Sequence, residues 1–175
     1  MTTQAILSLG SNLGDREAHL RAALGGLGDA VVTVSGVYET EPWGDPDQPR
    51  YLNAVALVLG PATAGRQHWL GLVAELERQA GRERDPDRRY GPRTLDVDVV
   101  AAWDVDGAPV VSDDPDLTLP HPRAHLRAFV LRPWLDIQPY AELPGHGRLL
   151  DLVRADPVAG DLAGLRARDD ISLET

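Results

Sequence analysis

Asp96 and Asp98, separated by one residue, are the pair whose type and spacing most suggest chemistry. They fall in an apolar run that reads as a strand. Alternate side chains of a strand face the same way, so both carboxylates leave one face with Cα atoms about 6–7 Å apart. Like charges so placed repel unless a cation lies between them. Hard divalent cations such as Mg²⁺ take oxygen ligands and leave coordination positions for phosphate oxygens. Taken alone, the pair is equally well two solvated carboxylates on an exposed strand. Its neighbourhood shifts the balance: Arg93 lies three residues before Asp96, and Arg82, Arg84, Arg88 and Arg89 precede it. Carboxylates that hold a metal beside guanidinium groups that fork onto phosphate oxygens are the tools of phosphoryl transfer.

The composition narrows what those tools can be. The 175-residue chain has 17 basic residues, all of them Arg, and it has no Lys and no Cys. A lysine-dependent phosphate loop, a Schiff base, a thiol nucleophile and a Cys-based metal site are all excluded. Any phosphate chemistry must use Arg, backbone N–H groups and metal ions. The net charge of −10 argues against a nucleic-acid partner, because phosphate backbones reward a basic face. The basic side chains gather instead in residues 82–93 and 120–133, which suggests a local anion site on an acidic body. Without a long apolar run or a basic leader, no membrane segment is expected and a cytoplasmic location is the default.

These groups need a frame. Residues 4–9 read as a strand, followed by a helix from Asp15 with Leu20, Leu24 and Leu27 on one face. Residues 31–38 read as a second strand, and residues 41–50, with three Pro and a Gly, as a loop. The third strand spans 51–59, with Tyr51, Asn53, Val55, Leu57 and Leu59 on one face. A second helix follows Pro61, with Trp69, Val73, Leu76 and Ala80 as its apolar stripe and Gly81 as its stop. Residues 94–101 form the fourth strand, in which Leu95, Val97 and Val99 face the core. A hairpin turn at Asp106-Gly107 leads to a short strand around Val110, and a last helix is expected over 123–134. The order is βαββαβ, an α+β ferredoxin-like fold with a mainly antiparallel sheet and extra C-terminal elements. Residues 1–155 make one domain, and 156–175 are an acidic extension expected to be a short helix or a mobile tail.

The string RYGPRTLDVDVV at 89–100 resembles the signature of the 6-hydroxymethyl-7,8-dihydropterin pyrophosphokinases. LSLGSNLGDR at 7–16, VYETEPWG at 37–44, QPRYLNAV at 48–55, LERQAGRER at 76–84 and LPHPRAHLRAFVLRP at 119–133 resemble further blocks of the family, in order. The resemblance covers roughly residues 4 to 155. It implies transfer of a pyrophosphoryl group from MgATP to the hydroxymethyl oxygen of the pterin, with release of AMP. By position, Asp96 and Asp98 would bind two Mg²⁺ ions, and Arg82 and Arg93 would neutralise charge on the transferred group. Glu77, Arg84, Val99, His121 and Arg127 would stand at ATP positions. Tyr51 and Phe129 would sandwich the pterin, with Asn53, Asp96 and backbone groups near Thr40 and Trp43 reading its polar edge. Gly10 and Asn12 match further ligand or support positions. The sequence departs from some relatives at Asp85, Pro86, Asp87, Tyr90 and Pro122. A monomer that binds ATP and a reduced pterin is the implied partner set.

Plainer readings compete residue by residue. Phe129, the sole Phe, could be a core aromatic, Tyr51 half-buried strand packing, and Glu77 a surface charge. His121 and His125 could suggest a metal pair, but Pro122 intervenes and no third ligand is spaced for it. An RNA-binding module lacks its strand aromatics here. A non-catalytic ferredoxin-like sensor of nucleotide or pterin remains as the rival function.

Overall fold

The computed structural model describes residues 1–82, 86–87 and 92–174. In chain order its elements are β1 (Thr2–Ser11), α1 (Arg16–Leu27), β2 (Val31–Val34), β3 (Tyr38–Thr40), β4 (Tyr51–Pro61), α2 (Arg66–Gln79) and β5 (Asp96–Trp103). There follow β6 (Ser112–Asp114), β7 (Leu117–Leu119), α3 (Ala128–Ile137), β8 (Glu142–Leu143), β9 (Gly147–Arg148), α4 (Leu149–Leu152), α5 (Val158–Asp161) and β10 (Arg166–Ala167). The main sheet has the order β10-β3-β4-β1-β5, with β2 also on β4, and every pairing is antiparallel. β1 thus separates β4 from β5, the strands that α2 connects, which is the split βαβ arrangement of a ferredoxin-like fold.

Alternation along the strands builds two cores. Leu7 and Leu9 of β1, with Leu52, Ala54 and Ala56 of β4, point to the face covered by α1 and α2. Leu20, Leu24 and Leu27 of α1 are buried there, as their spacing predicts. Asp15 starts that helix by accepting the N–H of Ala18 at 3.0 Å. On the opposite face Ile6, Val55, Val100 and Ala101 meet Leu131 and Trp134 of α3. Both Val100 and Ala101 face α3 because β5 carries a bulge: Ile6 pairs with Ala101, but the next residue, Leu7, pairs with Val99.

The observed elements depart from the expected ones where side chains take over backbone bonds. The strand expected over 31–38 is broken after Val34, where the Ser35 hydroxyl accepts the N–H of Val55 at 2.9 Å in place of a ladder carbonyl. The fourth strand starts at Asp96 rather than at 94, because Asn12 holds Arg93 by both its backbone and its side chain. α2 starts at Arg66, four residues later than Pro61 would set it, and buries Trp69, Leu76 and Glu77. The strand expected around Val110 reduces to one bridge, Trp103 to Pro109, since Pro supplies no N–H to extend it. The last helix is interrupted: Ala124–Leu126 form a 3₁₀ turn, Arg127 is extended, and α3 begins at Ala128. Residues 156–174 contain α5, a 3₁₀ turn at Leu162–Gly164 and β10, and they bury Ile171 and Leu173 against the α1/α2 core.

Candidate active site

Only part of the upper sheet face is covered by α3. Where it is open, the inward-facing residues change character along three strands at once. Ile6 is followed in alternation by Ser8 and Gly10 on β1. The pairing sets Ser8 between Val55 and Asp98, and Gly10 between Asn53 and Asp96. Tyr51, two residues before Asn53, completes this floor. A Cβ on Gly10 would come within 3.0 Å of Asn53 Oδ1 and 3.3 Å of a Tyr51 ring carbon, so only glycine leaves those side chains in place. Asn53 is buried and donates from Nδ2 to Thr40 Oγ1 at 2.7 Å, which ties β4 to β3.

The floor opens into two adjoining cavities. The first, about 430 Å³, is bounded by Thr40, Trp43, Tyr51, Asn53 and Phe129 on one side and by charged groups on the other. The second, about 440 Å³, lies over Glu77, Arg82 and Val99 and reaches Leu70 of α2 and Leu117 and Thr118 of β7. Arg93, Asp96, Asp98 and His121 belong to both, so the carboxylate pair stands in the wall they share.

Charge at that wall is tightly matched. Asp96 Oδ1 accepts from Arg93 Nη1 at 2.7 Å and from Arg82 Nη1 at 3.0 Å. Glu77, only 5% exposed, receives both the Arg82 guanidinium and the N–H of Val97, the latter at 3.0 Å. Its burial overturns the surface-charge reading: a helix carboxylate can be sunk into a core when an Arg and a backbone donor satisfy it. Asp98 Oδ2 accepts from Arg127 Nη1 at 3.1 Å. The enclosed position of the Asp98 carboxylate, and then the negative charge of Asp96, push it up to about 6, while Arg127 and Arg93 pull the other way. Burial and the charge of Arg127 push His121 down to about 4, so its ring is neutral near pH 7. Its Nδ1 accepts the Arg123 N–H at 3.1 Å, which leaves the proton on Nε2, 3.9 Å from Asp98 Oδ2.

The donor set fits Mg²⁺ carried in with phosphate. The two oxygen ligands on one strand suit a hard cation, and no group of three or more His, Cys, Asp or Glu able to hold a metal exists among the described residues. Such a site needs ligands from its substrate. Donors for an anion stand beside it: Arg82 Nε and Arg127 Nε are buried with no hydrogen-bond partner among the described residues. The Arg127 guanidinium also lies between two rings, 5.0 Å from the centroid of Trp43 and 5.5 Å from that of Phe129.

A sequence profile of the 7,8-dihydro-6-hydroxymethylpterin-pyrophosphokinases matches residues 6–139. The chain belongs to this family. Among curated relatives, the 2-amino-4-hydroxy-6-hydroxymethyldihydropteridine pyrophosphokinase of Mycobacterium leprae is 53% identical over 151 residues, covering 83% of this chain and 78% of its own. The Mycobacterium tuberculosis enzyme of that name is 48% identical over 149 residues with the same coverage. The one from Pseudomonas aeruginosa is 35% identical over 167 residues, 91% of this chain and 96% of the relative. Solved structures share the fold at much lower identity. A crystal structure of Plasmodium falciparum HPPK-DHPS with pterin and p-hydroxybenzoate gives a TM-score of 0.62 at 12% identity, over 95% of this chain. An HPPK-DHPS in complex with substrates gives 0.62 at 10% identity, over 87%. This chain spans only 46% and 43% of those two chains, respectively.

Of the residues that the sequence nominates, Thr40, Trp43, Tyr51, Asn53, Phe129, Arg93, Asp96, Asp98, His121 and Arg127 line the first cavity. Glu77, Arg82 and Val99 line the second. Arg84 lies outside the described residues, as do Asp85, Arg88, Arg89 and Tyr90. His125 is not in either cavity; its ring stacks on His146 with centroids 4.1 Å apart. Ser8, Glu41 and Arg123 line the first cavity without being singly nominated, although Arg123 falls in the basic segment 120–133. Ser8 is reachable from the two-residue period that carries Gly10. Arg123 sits 5.5 Å from the Trp43 centroid, a contact between distant loops that no local pattern signals. The weight on Asn12 was also hidden: besides Arg93, it donates to Gln48 Oε1 and to the Pro49 carbonyl, each at 2.9 Å.

Proposed function

We propose that the two cavities divide the substrates of one reaction, the reduced pterin lying between Tyr51 and Phe129 and ATP in the second cavity over Glu77, Arg82 and Val99. The enzyme transfers a pyrophosphoryl group from ATP to the hydroxymethyl oxygen of 6-hydroxymethyl-7,8-dihydropterin, in folate biosynthesis. The observation that carries the division is the position of Asp96 and Asp98 in the common wall, where the two reacting ends must meet.

In this reading Asp96 and Asp98 would hold two Mg²⁺ ions, which supply charge to offset the phosphates and draw their oxygens toward the alcohol. The alcohol oxygen bonds to the β-phosphorus and gives up its proton to solvent, the bond from the β-phosphorus to the bridging oxygen breaks, and AMP leaves with that oxygen. Arg82 and Arg93 exchange part of their hold on Asp96 for the transferred group, while His121 and Arg127, with Arg84, contact the triphosphate. Asn53, Asp96 and the groups near Thr40 and Trp43 read the pterin edge. Positioning and charge stabilisation then account for most of the rate gain. Residues 41–50, which include Trp43, are suited to close over the bound substrates; of the other expected lid, 82–91, residues 83–85 and 88–91 lie outside the described residues.

We take a monomer that binds ATP and the reduced pterin as sufficient for turnover. We keep a cytoplasmic setting as the default; separately, no described helix is long and apolar enough to cross a membrane. The rival reading as a non-catalytic sensor is disfavoured by the family match together with the intact Asp and Arg set. Release of AMP from MgATP and the pterin is the test. A folded Asp98→Ala protein that still released AMP near the unaltered rate would overturn the assignment of the carboxylates.

A further inference from the structure

Residues 158–173 lie beyond the part of the chain that the family profile matches, which ends at 139. They nonetheless reach the root of the pterin side of the site. Val158, with Leu162 and Leu165, packs into the α3 core; the chain then crosses the sheet edge as β10, and Ile171 and Leu173 are buried in the α1/α2 core. At the crossing Arg166 pairs with Glu39 and Ala167 with Tyr38, and the Arg168 N–H donates to the Val37 carbonyl at 2.8 Å. This segment is a strap that converts β3 from a three-residue edge strand into an interior one.

Side chains extend the grip. Glu39 Oε2, in a side chain 12% exposed, meets Arg168 Nη1 at 3.3 Å and Arg16 Nη1 at 3.0 Å. Arg16 Nη1 in turn donates to the Arg50 carbonyl at 3.0 Å. Glu39 immediately precedes Thr40, and Arg50 immediately precedes Tyr51, so the same ion-pair cluster clasps both ends of the 41–50 loop. Asp170 holds the Arg168 guanidinium from outside at 2.7 and 2.8 Å. On the other side of β3, the Tyr38 hydroxyl donates to Asp136 of α3 at 2.7 Å. The strand bearing Thr40 is therefore fixed from two directions, and one of them is the strap.

We propose that Arg168, acting through Glu39, is a positioning residue for pterin recognition: the C-terminal strap sets the spacing between Thr40 and Asn53 and the aim of the loop that carries Trp43. The proposal rests on the pterin lying over Tyr51 and Asn53. It favours the pterin over ATP, because the strap's pairing reaches β3 next to Thr40, which lines the first cavity.

Steady-state kinetics on the full chain test it. Arg168→Ala raises the pterin KM about 5-fold, with kcat and the ATP KM within about 2-fold, the scale of losing one partly buried ion pair. Arg168→Lys recovers part of that loss. Glu39→Gln, which keeps the side-chain volume, gives the same selective rise and tests the proposal even if Arg168→Ala does not fold. Adding Arg168→Ala to Glu39→Gln changes little further, since Glu39→Gln already removes the Arg168–Glu39 pair along with the Arg16 pair. Equal changes in the two KM values, or a lowered melting temperature with pterin KM unchanged, would overturn the proposal. A failure of the site reading looks different: Tyr51→Ala would then leave the pterin KM untouched in an otherwise native chain.

Discussion

Along one face of the sheet the same three strands support two regions of opposite character. Under α3, Ile6, Val55, Val100 and Ala101 are at most 1% exposed and meet Leu131 and Trp134, which are fully buried. A few residues farther along, in line with them, Ser8, Gly10, Asn53, Asp96 and Asp98 face open cavities. The backbone is continuous and the pairing is in register through both, apart from the bulge at Val100. What differs is the partner. The covered half gains its stability by removing apolar area from water, at about 25 cal/mol per Å². The open half carries charges that the fold pairs with Arg but leaves able to exchange partners with a substrate. Substitutions in the two halves should therefore fail in different currencies, one in stability and the other in turnover.

The largest effect belongs to the open half. Asp98→Ala should lower kcat by about 10³-fold or more while the melting temperature stays within a few degrees, because the lost carboxylate is one of two like charges on a single strand face. Circular dichroism and AMP release measured on one sample check both parts. Removing divalent metal with a chelator should likewise abolish turnover and leave the melting temperature of the nucleotide-free protein in place, since Arg82, Arg93 and Arg127 already pair the two carboxylates.

The covered half gives the converse. Trp134→Ala should cost about 3–5 kcal/mol in denaturant unfolding, from lost burial and the cavity left behind. The fraction that remains folded should keep near-normal KM values. A variant that lost pterin affinity as strongly as stability would show that the two regions are not separable.

The boundary between the halves yields an intermediate case. Gly10→Ala should raise the pterin KM about 10-fold with little effect on the ATP KM, because the atoms nearest the added methyl belong to Asn53 and Tyr51 of the first cavity. Titration with an unreactive pterin reads this directly.

The smallest effect lies behind the covered half, where His125 stacks on His146 at 12° between ring planes. Burial, and then the charge of His146, lower the His125 pKa from its usual 6.5. A base whose folded value is depressed contributes stability that is intact above the unfolded value and lost as pH falls through the folded one. Unfolding midpoints should therefore drop on acidification below about 6.5, and His146→Gln should move the His125 titration upward in NMR. A His125 titration unchanged by that substitution would remove the stack as the cause.

How much of this could be read in advance depends on the distance over which each interaction acts. The alternation in 51–59 correctly placed Tyr51 and Asn53 on one face, and the D-x-D spacing placed Asp96 and Asp98 on one face, since both are consequences of the two-residue strand period. The helix over 16–27 was legible from its leucines and its Asp15 cap. The break at Ser35, the late start of β5 and the extended Arg127 were not. Each is decided by a partner far along the chain: Val55, Asn12 and Asp98. Glu77 shows the same limit. A carboxylate beside an apolar stripe looks like a surface group until Arg82 and the Val97 N–H arrive to satisfy it.

The sequence by itself determined the chemical vocabulary: an acidic, Lys-free chain left with Arg, backbone N–H groups and metal ions for any phosphate chemistry, a carboxylate pair on one strand face, and the order of elements in a βαββαβ frame. Short-range sterics and hydrophobic periodicity suffice for these. Only the tertiary structure decided that the carboxylates stand in a wall between two cavities, that Asn12 braces two segments at once, and that the C-terminal residues clasp β3. These depend on which strands lie side by side and on which buried polar groups find partners, and both are settled when the whole sheet closes.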